Sequence, residues 1–163
     1  MNAECVESLR AHGIWYVPTL AISHLTPDQA RDAWEKRWVE QRNLAPDLCH
    51  RADAVADVHR DCFRQALAAG VKMALGSDIR PLKDAALLEL GLWVRDGATP
   101  WQALVAATHH AAELWAVGGD LGTVEVGKRA DLIVVGADPL ENIANLRQLR
   151  LVFKDGRIVS DKR

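Results

Sequence analysis

The chain has 163 residues, of which 49% are hydrophobic and 26% charged, and its formal net charge is −2. This balance is typical of one soluble globular domain, and the mixing of charges leaves no basic stripe for a nucleic-acid backbone. No apolar run approaches the roughly 18 to 20 residues of a membrane span, and the first ten residues do not resemble a signal peptide. Three cysteines, an odd number, favour reduced thiols, so we expect a cytoplasmic protein with no membrane or nucleic-acid partner.

The first quarter of the chain predicts a helix, a strand and a second helix. Residues 3–12 have a helical pattern that ends at Gly13, a residue suited to a left-handed cap. The apolar run 14–20 contains a proline that stops the strand, which is typical of a strand buried on both faces. The sequence TPDQ at 26–29 has the capping residue, proline and glutamine of a helix start, so a surface helix is expected to about residue 43.

A long helix is expected over residues 47–69, followed by a short strand at 71–75. The helix spacing places seven side chains on one face: Leu48, Ala52, Val55, His59, Cys62, Ala66 and Ala69. The strand runs directly into Gly76-Ser77-Asp78. A further helix is predicted over residues 83–95.

The last third of the chain changes from helical to extended patterns. The sequence TPWQ at 99–102 predicts another helix start, with the helix continuing to about Trp115. Short strands are expected at 121–126, 131–135, 149–154 and 157–160. The Asp155-Gly156 pair between the last two predicts a tight hairpin. Helices that alternate with the early strands indicate an α/β protein with parallel βα units, and a small β layer follows them.

Asp78 is the strongest candidate for a chemical role. Active sites of α/β proteins form where parallel strands end, and Asp78 comes three residues after a predicted strand. A carboxylate there can ligate a divalent metal or accept a proton from a nucleophilic water. The alternative is that Asp78 caps a helix that begins near Pro81. The spacing alone does not decide between the two.

The six histidines are scattered and do not have the spacing of metal ligands. His109 and His110 are adjacent on a predicted helix, so their side chains diverge by about 100°. His59 lies on the apolar helix face and is expected to be a packed, hydrogen-bonded core residue. His24 follows the first predicted strand closely and could reach a pocket, but its position favours a surface loop.

Five segments, in chain order, resemble the metal-dependent amidohydrolases. AHGIWYVPTL is similar to the penultimate barrel strand of the imidazolonepropionase-like and prolidase-like branch, and ALGSD resembles the end of its last strand. TPWQALVAATHHAAELWAV resembles the helix that follows. LGTVEVGKRADLIVVGADPLENI and LRLVFKDGRIV resemble the strands of the small β-sandwich beside the barrel. The matches run from about residue 4 to residue 160.

The resemblance implies a C-terminal portion of a (β/α)₈ amidohydrolase barrel. Residues 1–117 would supply its last two strands and helices, and residues 118–163 the last strands of the sandwich. Asp78 would be both a metal ligand and the general base. A divalent metal, with zinc as the family default, would be held mainly by histidines and a lysine or glutamate upstream of this sequence. The isolated chain would then bind no catalytic metal tightly and would be inactive.

The resemblance implies a small-molecule substrate and hydrolysis of carbon–nitrogen bonds. Arg80, two residues beyond Asp78, is a weak candidate for substrate contact. Two alternatives stay open: half of a split hydrolase whose partner chain supplies the rest of the barrel, and a non-enzymatic module used for binding or stability. A homo-oligomer is compatible with each of them.

Overall fold

A computed structural model describes residues 2–80 and 84–163. The helices in these ranges are α1 (Ala3–Ala11), α2 (Ala21–His24), α3 (Ala33–Arg42), α4 (Pro46–Ala68), α5 (Ala85–Arg95), α6 (Pro100–Ala107) and α7 (His109–Leu114). The strands are β1 (Leu132–Val135), β2 (Leu149–Lys154) and β3 (Arg157–Asp161), with a 3₁₀ helix at Ile143–Arg147. None of the helices in the described ranges is long and apolar enough to cross a membrane.

The segments 14–20 and 71–75, predicted as strands, lie side by side and run in parallel, but neither is a regular strand in the described residues. They meet at one bridge, between Tyr16 and Met73. The Tyr16 N–H donates to the Lys72 carbonyl at 2.9 Å, and the Ala74 N–H donates to the Tyr16 carbonyl at 3.3 Å. Their carboxyl ends therefore point to the same edge, as in a βα unit.

The helices bury a common apolar cluster beside this strand pair. Phe63 of α4 and Trp93 of α5 are almost fully buried, and their rings meet edge to face with centroids 5.1 Å apart. The predicted long helix is confirmed, and Ala52, Cys62 and Ala66 of its expected face are buried, but the face is not buried along its whole length. Leu48 and Val55 are exposed, whereas Ala56 is buried.

The third helix begins six residues later than the TPDQ sequence indicates. The Asp32 carboxylate accepts a hydrogen bond from the Glu35 N–H at 2.7 Å and caps α3, whose first residue is Ala33. The Thr26 hydroxyl instead donates to Asp53 of α4 at 2.8 Å. A contact across 27 residues thus replaces the local cap, and the prediction of a helix start at Thr26 is wrong.

The TPWQ helix start is confirmed, but its helix is not continuous. Thr99 and Gln102 form a reciprocal capping box at the start of α6. Thr108 then leaves the helical region, with φ −121° and ψ −84°, and separates α6 from α7.

The C-terminal strands form an antiparallel sheet in the order β1-β2-β3. Asp155 and Gly156 both have positive φ, 49° and 75°, as the predicted hairpin requires. The predicted strand at residues 121–126 is wrong. The Leu121 N–H folds back onto the Val117 carbonyl, and Gly122 approaches Ala112 so closely that a Cβ on it would lie 2.6 Å from the Ala112 Cβ.

The 3₁₀ helix connects the sheet region to the helices. Leu146 is buried in the same apolar cluster as α4 and α5. The Arg147 guanidinium lies over the Trp34 ring of α3, 3.8 Å from its centroid, and forms an ion pair with Asp32 at 2.9 Å. The boundary at residues 117 and 118 stays a prediction, and side chains on its two sides pack together.

We predict that Gly76→Ala destabilises the chain, since a Cβ on Gly76 would lie 2.5 Å from Val17 Cγ1. The expected loss in the free energy of unfolding is about 1 to 3 kcal/mol, the range for overpacking. Gly91→Ala is the matched control, because a Cβ at this α5 position meets nothing within 4 Å and alanine favours helix. Urea unfolding of both variants checks this, and equal effects would contradict the close packing of the two strand ends.

Candidate functional site

Asp78 lies at the edge where the two parallel segments end. Gly76 packs against Val17 and Thr19 of the neighbouring segment, so both segments end side by side. The Asp78 side chain is exposed. Asp78 and Thr19 both have left-handed backbone conformations, with φ of 47° and 48°. Such conformations cost about 1 kcal/mol or more for residues other than glycine and often occur at functional sites.

Asp78 does not cap the next described helix. Helix α5 begins at Ala85, and its N-cap residue is Asp84. A helix start near Pro81 falls outside the described residues. Arg80, the weak candidate for substrate contact, is exposed at the same edge as Asp78. Asp78 and Arg80 are therefore both exposed where the second segment ends.

At Thr19 the first extended segment turns into α2, and we call this turn the Thr19 corner. It is held by buried side chains of α4 and α5. The Glu89 carboxylate of α5 accepts the Leu20 N–H at 2.7 Å and the Ala21 N–H at 2.8 Å. On the other side of Thr19, His59 Nε2 of α4 lies 2.7 Å from the Pro18 carbonyl oxygen. The peptide groups on both sides of the left-handed residue are thus fixed.

Glu89 is fully buried, and three N–H groups surround its carboxylate. The third donor is Trp93 Nε1, 3.2 Å away. Burial raises the pKa of Glu89 to about 7, although each of the three donors lowers it. The cost of desolvating the charge therefore exceeds the stabilisation that the donors supply.

His59 is a hydrogen-bonded, partly buried residue, as predicted, but the prediction for His24 is wrong. His24 lies at the end of α2 and is only 2% exposed, because α2 packs against α4. Its Nε2 atom lies 3.3 Å from Asp96 Oδ2. The Ser23 hydroxyl lies between the two rings, 2.9 Å from His24 Nδ1 and 2.7 Å from His59 Nδ1.

Glu89, Asp96 and Ser23 were not predicted from the sequence. The burial of Glu89 could have been predicted, because Glu89 is an acidic residue inside the apolar run ALLELGLWV. A charge in the middle of a helix that is apolar on most sides indicates a buried partner. Asp96 and Ser23 had no comparable signal, since their partners are far away in the sequence.

The described residues do not form a complete metal site. Within residues 2–80 and 84–163, no three His, Cys, Asp or Glu side chains lie close enough together to hold a metal ion. A zinc site needs three or four protein ligands, and at this edge the structure shows the Asp78 carboxylate without such neighbours. His110 Nδ1 lies 2.9 Å from the Met73 carbonyl oxygen.

Comparison with known proteins identifies the family. The amidohydrolase family model matches residues 2–159, almost the whole chain. The chain therefore belongs to the amidohydrolase family, as the motifs from residue 4 to residue 160 predicted.

The similar proteins are hydrolases much longer than this chain. An ochratoxinase of Aspergillus niger is 30% identical over 163 residues, which are 96% of this chain and 32% of that protein. A 5-methylthioadenosine/S-adenosylhomocysteine deaminase of Moorella thermoacetica is 33% identical over 136 residues, 76% of this chain and 30% of that protein. The crystal structure of a Xaa-Pro dipeptidase with bound methionine superposes with a TM-score of 0.80 at 29% identity, covering 99% of this chain and 38% of that one. The chain thus spans about a third of the length of these relatives.

We predict that the Glu89 carboxyl makes the chain less stable as the pH rises from 4.5 to about 7. Its pKa is higher in the folded state than the ordinary value of 4.5, so over this range the folded state keeps a proton that the unfolded state has released. The free energy of unfolding should fall by up to about 3 kcal/mol and then level off. Urea unfolding at several pH values measures this.

Glu89→Gln is the control for this pH dependence. The amide cannot titrate, so the variant should lack the part of the slope that Glu89 contributes. Identical pH dependence in the two proteins would show that Glu89 has the same pKa in the folded and unfolded states.

Proposed function

We propose that this chain forms part of a hydrolase that cleaves carbon–nitrogen bonds, with Asp78 as its general base. The observation that carries the proposal is the exposed Asp78 carboxylate at the shared end of two parallel segments, in a chain of the amidohydrolase family. A carboxylate within hydrogen-bond reach of a water accepts its proton as the water attacks a carbonyl carbon. The same group can then deliver that proton to the departing amine.

The proposed place of this chain in the fold follows from its parallel pair. We infer that residues 14–20 and 71–75 are the last two strands of a (β/α)₈ barrel, within a barrel part that spans residues 1–117. Residues 118–163 would be the C-terminal strands of a β-sandwich. The TM-score of 0.80 over 99% of the chain supports this placement, as does the 38% share of the longer protein. A barrel needs about 250 residues, so other strands would come from outside this sequence.

A bound metal would likewise need residues from outside this sequence. The Asp78 carboxylate suits a divalent cation such as zinc, but a zinc site needs three or four protein ligands. Among the described residues, no group of three His, Cys, Asp or Glu side chains could supply them. In this proposal the metal would be held mainly by residues that this sequence does not contain. They would come from an upstream part of the same protein or, in a split enzyme, from a partner chain.

The proposed substrate class is small amides. One similar structure is that of a Xaa-Pro dipeptidase, and imidazolonepropionases are among the relatives, which favours short peptides and cyclic amides as first probes. Arg80 is exposed near Asp78 and could pair with a substrate carboxylate. A non-enzymatic module is the second candidate function, favoured by the absence of a metal cluster among the described residues.

The proposal predicts that Asp78→Asn removes hydrolysis. The assay uses the longest reading frame of the source genome that contains this chain, with Xaa-Pro dipeptides and cyclic amides as substrates. Loss of the base should lower kcat/KM by about 10³-fold, within the usual range for general base catalysis. Asp61→Asn, at an exposed position on α4, is the matched control and should keep full activity. Equal activity of both variants would favour the non-enzymatic module.

A second prediction concerns metal binding by the 163-residue chain alone. After dialysis without chelator, its zinc content should be well below one ion per chain, because the described residues lack a complete ligand set. Elemental analysis of the wild type and of Asp78→Asn measures this. One tightly bound zinc that disappears in Asp78→Asn would contradict the need for further ligands.

A further inference from the structure

A continuous line of polar atoms crosses the buried layer between α2, α4 and the end of α5. It starts at the Pro18 carbonyl oxygen, 2.7 Å from His59 Nε2. It continues from His59 Nδ1 to Ser23 Oγ at 2.7 Å, and from Ser23 Oγ to His24 Nδ1 at 2.9 Å. It ends at the contact of His24 Nε2 with Asp96 Oδ2, at 3.3 Å. The line therefore contains four contacts between five groups.

The number of polar hydrogens does not match the number of contacts. A carbonyl oxygen and an ionised carboxylate can only accept, so the two ends of the line supply no hydrogen. Each neutral imidazole carries one N–H, and the Ser23 hydroxyl carries one O–H. Three hydrogens must therefore serve four contacts. Changing the tautomer of either ring moves the shortage along the line but does not remove it.

The missing hydrogen belongs at the Asp96 end. His24 Nδ1 lies 3.0 Å from the Leu20 carbonyl oxygen as well as near Ser23, so this nitrogen faces an obligate acceptor and needs an N–H. In a neutral ring, Nε2 would then be a bare acceptor facing a carboxylate. His24 Nε2 and Asp96 Oδ2 are both buried, and neither has a hydrogen-bond partner in the described part of the chain. Two buried acceptors that face each other are unfavourable.

We propose that His59, Ser23 and His24 share one proton beyond their neutral complement. This proton makes His24 an imidazolium whose positive charge pairs with the Asp96 carboxylate, with Nε2 and Oδ2 3.3 Å apart. Because the other end of the line is the Pro18 carbonyl, the proton also stabilises the Thr19 corner. The proton is bound by the fold itself, whether or not the chain takes part in catalysis.

Several charged groups face this proton. On α4, His59 lies next to His24, and Arg60 Nε donates to Asp96 Oδ1 at 3.0 Å. On α5, Asp96 pairs with His24, and its charge also reaches Glu89. Burial lowers the pKa of His24, whereas the Asp96 carboxylate raises it and the positive charge of Arg60 lowers it. With burial the largest of these effects, the proton should leave as the pH rises, below the usual histidine value of about 6.5.

The test is a pH titration of the ¹⁵N-histidine-labelled 163-residue chain by two-bond ¹H–¹⁵N NMR correlation, from about pH 4.5 to 8. The ring nitrogens of His24 and His59 should shift with one common midpoint, together taking up one proton. The backbone amides of Thr19 and Leu20 should move with the same midpoint. The exposed His12 and His50 serve as internal references.

Two variants separate the shared proton from ordinary histidine titration. In Asp96→Asn, the side-chain amide can supply the missing hydrogen, so the common midpoint should fall by at least about one pH unit. Ser23→Ala cuts the line in two and should abolish the common midpoint, whereas Ser23→Thr keeps the hydroxyl and should retain it.

Three results would overturn the proposal. They are independent midpoints of the two rings in the wild type, rings that stay neutral over the whole pH range, and a common midpoint that survives in Ser23→Ala. The wild-type titration decides by itself if a variant does not fold.

Discussion

The buried Glu89 carboxylate is the interaction on which the arrangement of this chain depends. Burying a carboxylate costs several kcal/mol unless donors replace its water. Here the backbone N–H groups of Leu20 and Ala21 do so, together with Trp93. These N–H groups belong to the first turn after an extended segment and would otherwise lack partners. The carboxylate thus fixes where that segment ends and where α2 begins.

This constraint determines the geometry of the candidate site. With Leu20 and Ala21 held, Thr19 keeps its left-handed conformation, and the chain turns beside Gly76. A side chain on Gly76 would meet Val17, so the close approach of the two segments requires glycine at this position. Asp78 lies two residues further along the chain, at the same edge. Its position therefore results from packing between two segments that are about 60 residues apart.

The elements that could be predicted from the sequence are those determined by neighbouring residues. The capping box of Thr99 and Gln102 and the turn at Asp155-Gly156 involve residues at most three positions apart, and both predictions are confirmed. The helix start at Thr26 was wrong because its hydroxyl contacts Asp53, which no local pattern shows. The strand expected at residues 121–126 was wrong for a similar reason, since Gly122 packs on α7.

For the site, the sequence predicted Asp78, a weaker candidate Arg80 and a hydrogen-bonded His59, but not the supporting residues Glu89, Ser23 and Asp96. The motif after residues 71–75 indicates Asp78, because a carboxylate at the end of a parallel strand has a recognisable pattern. The positive φ of Thr19 could not be predicted, since isolated threonine rarely adopts it. The contacts of Ser23 with His59 and of His24 with Asp96 join residues 36 and 72 positions apart, so only the folded chain brings them together.

The two buried polar systems act on the same short stretch of backbone. Glu89 binds the N–H groups after Thr19, and His59 binds the carbonyl before it. The two systems are also coupled through Asp96, whose negative charge raises the pKa of both Glu89 and His24. A change of charge at Asp96 would therefore affect the hydrogen bonds on both sides of Thr19. The shape of this strand end thus depends on a few buried charges supplied by α4 and α5 as well as on the extended segment itself.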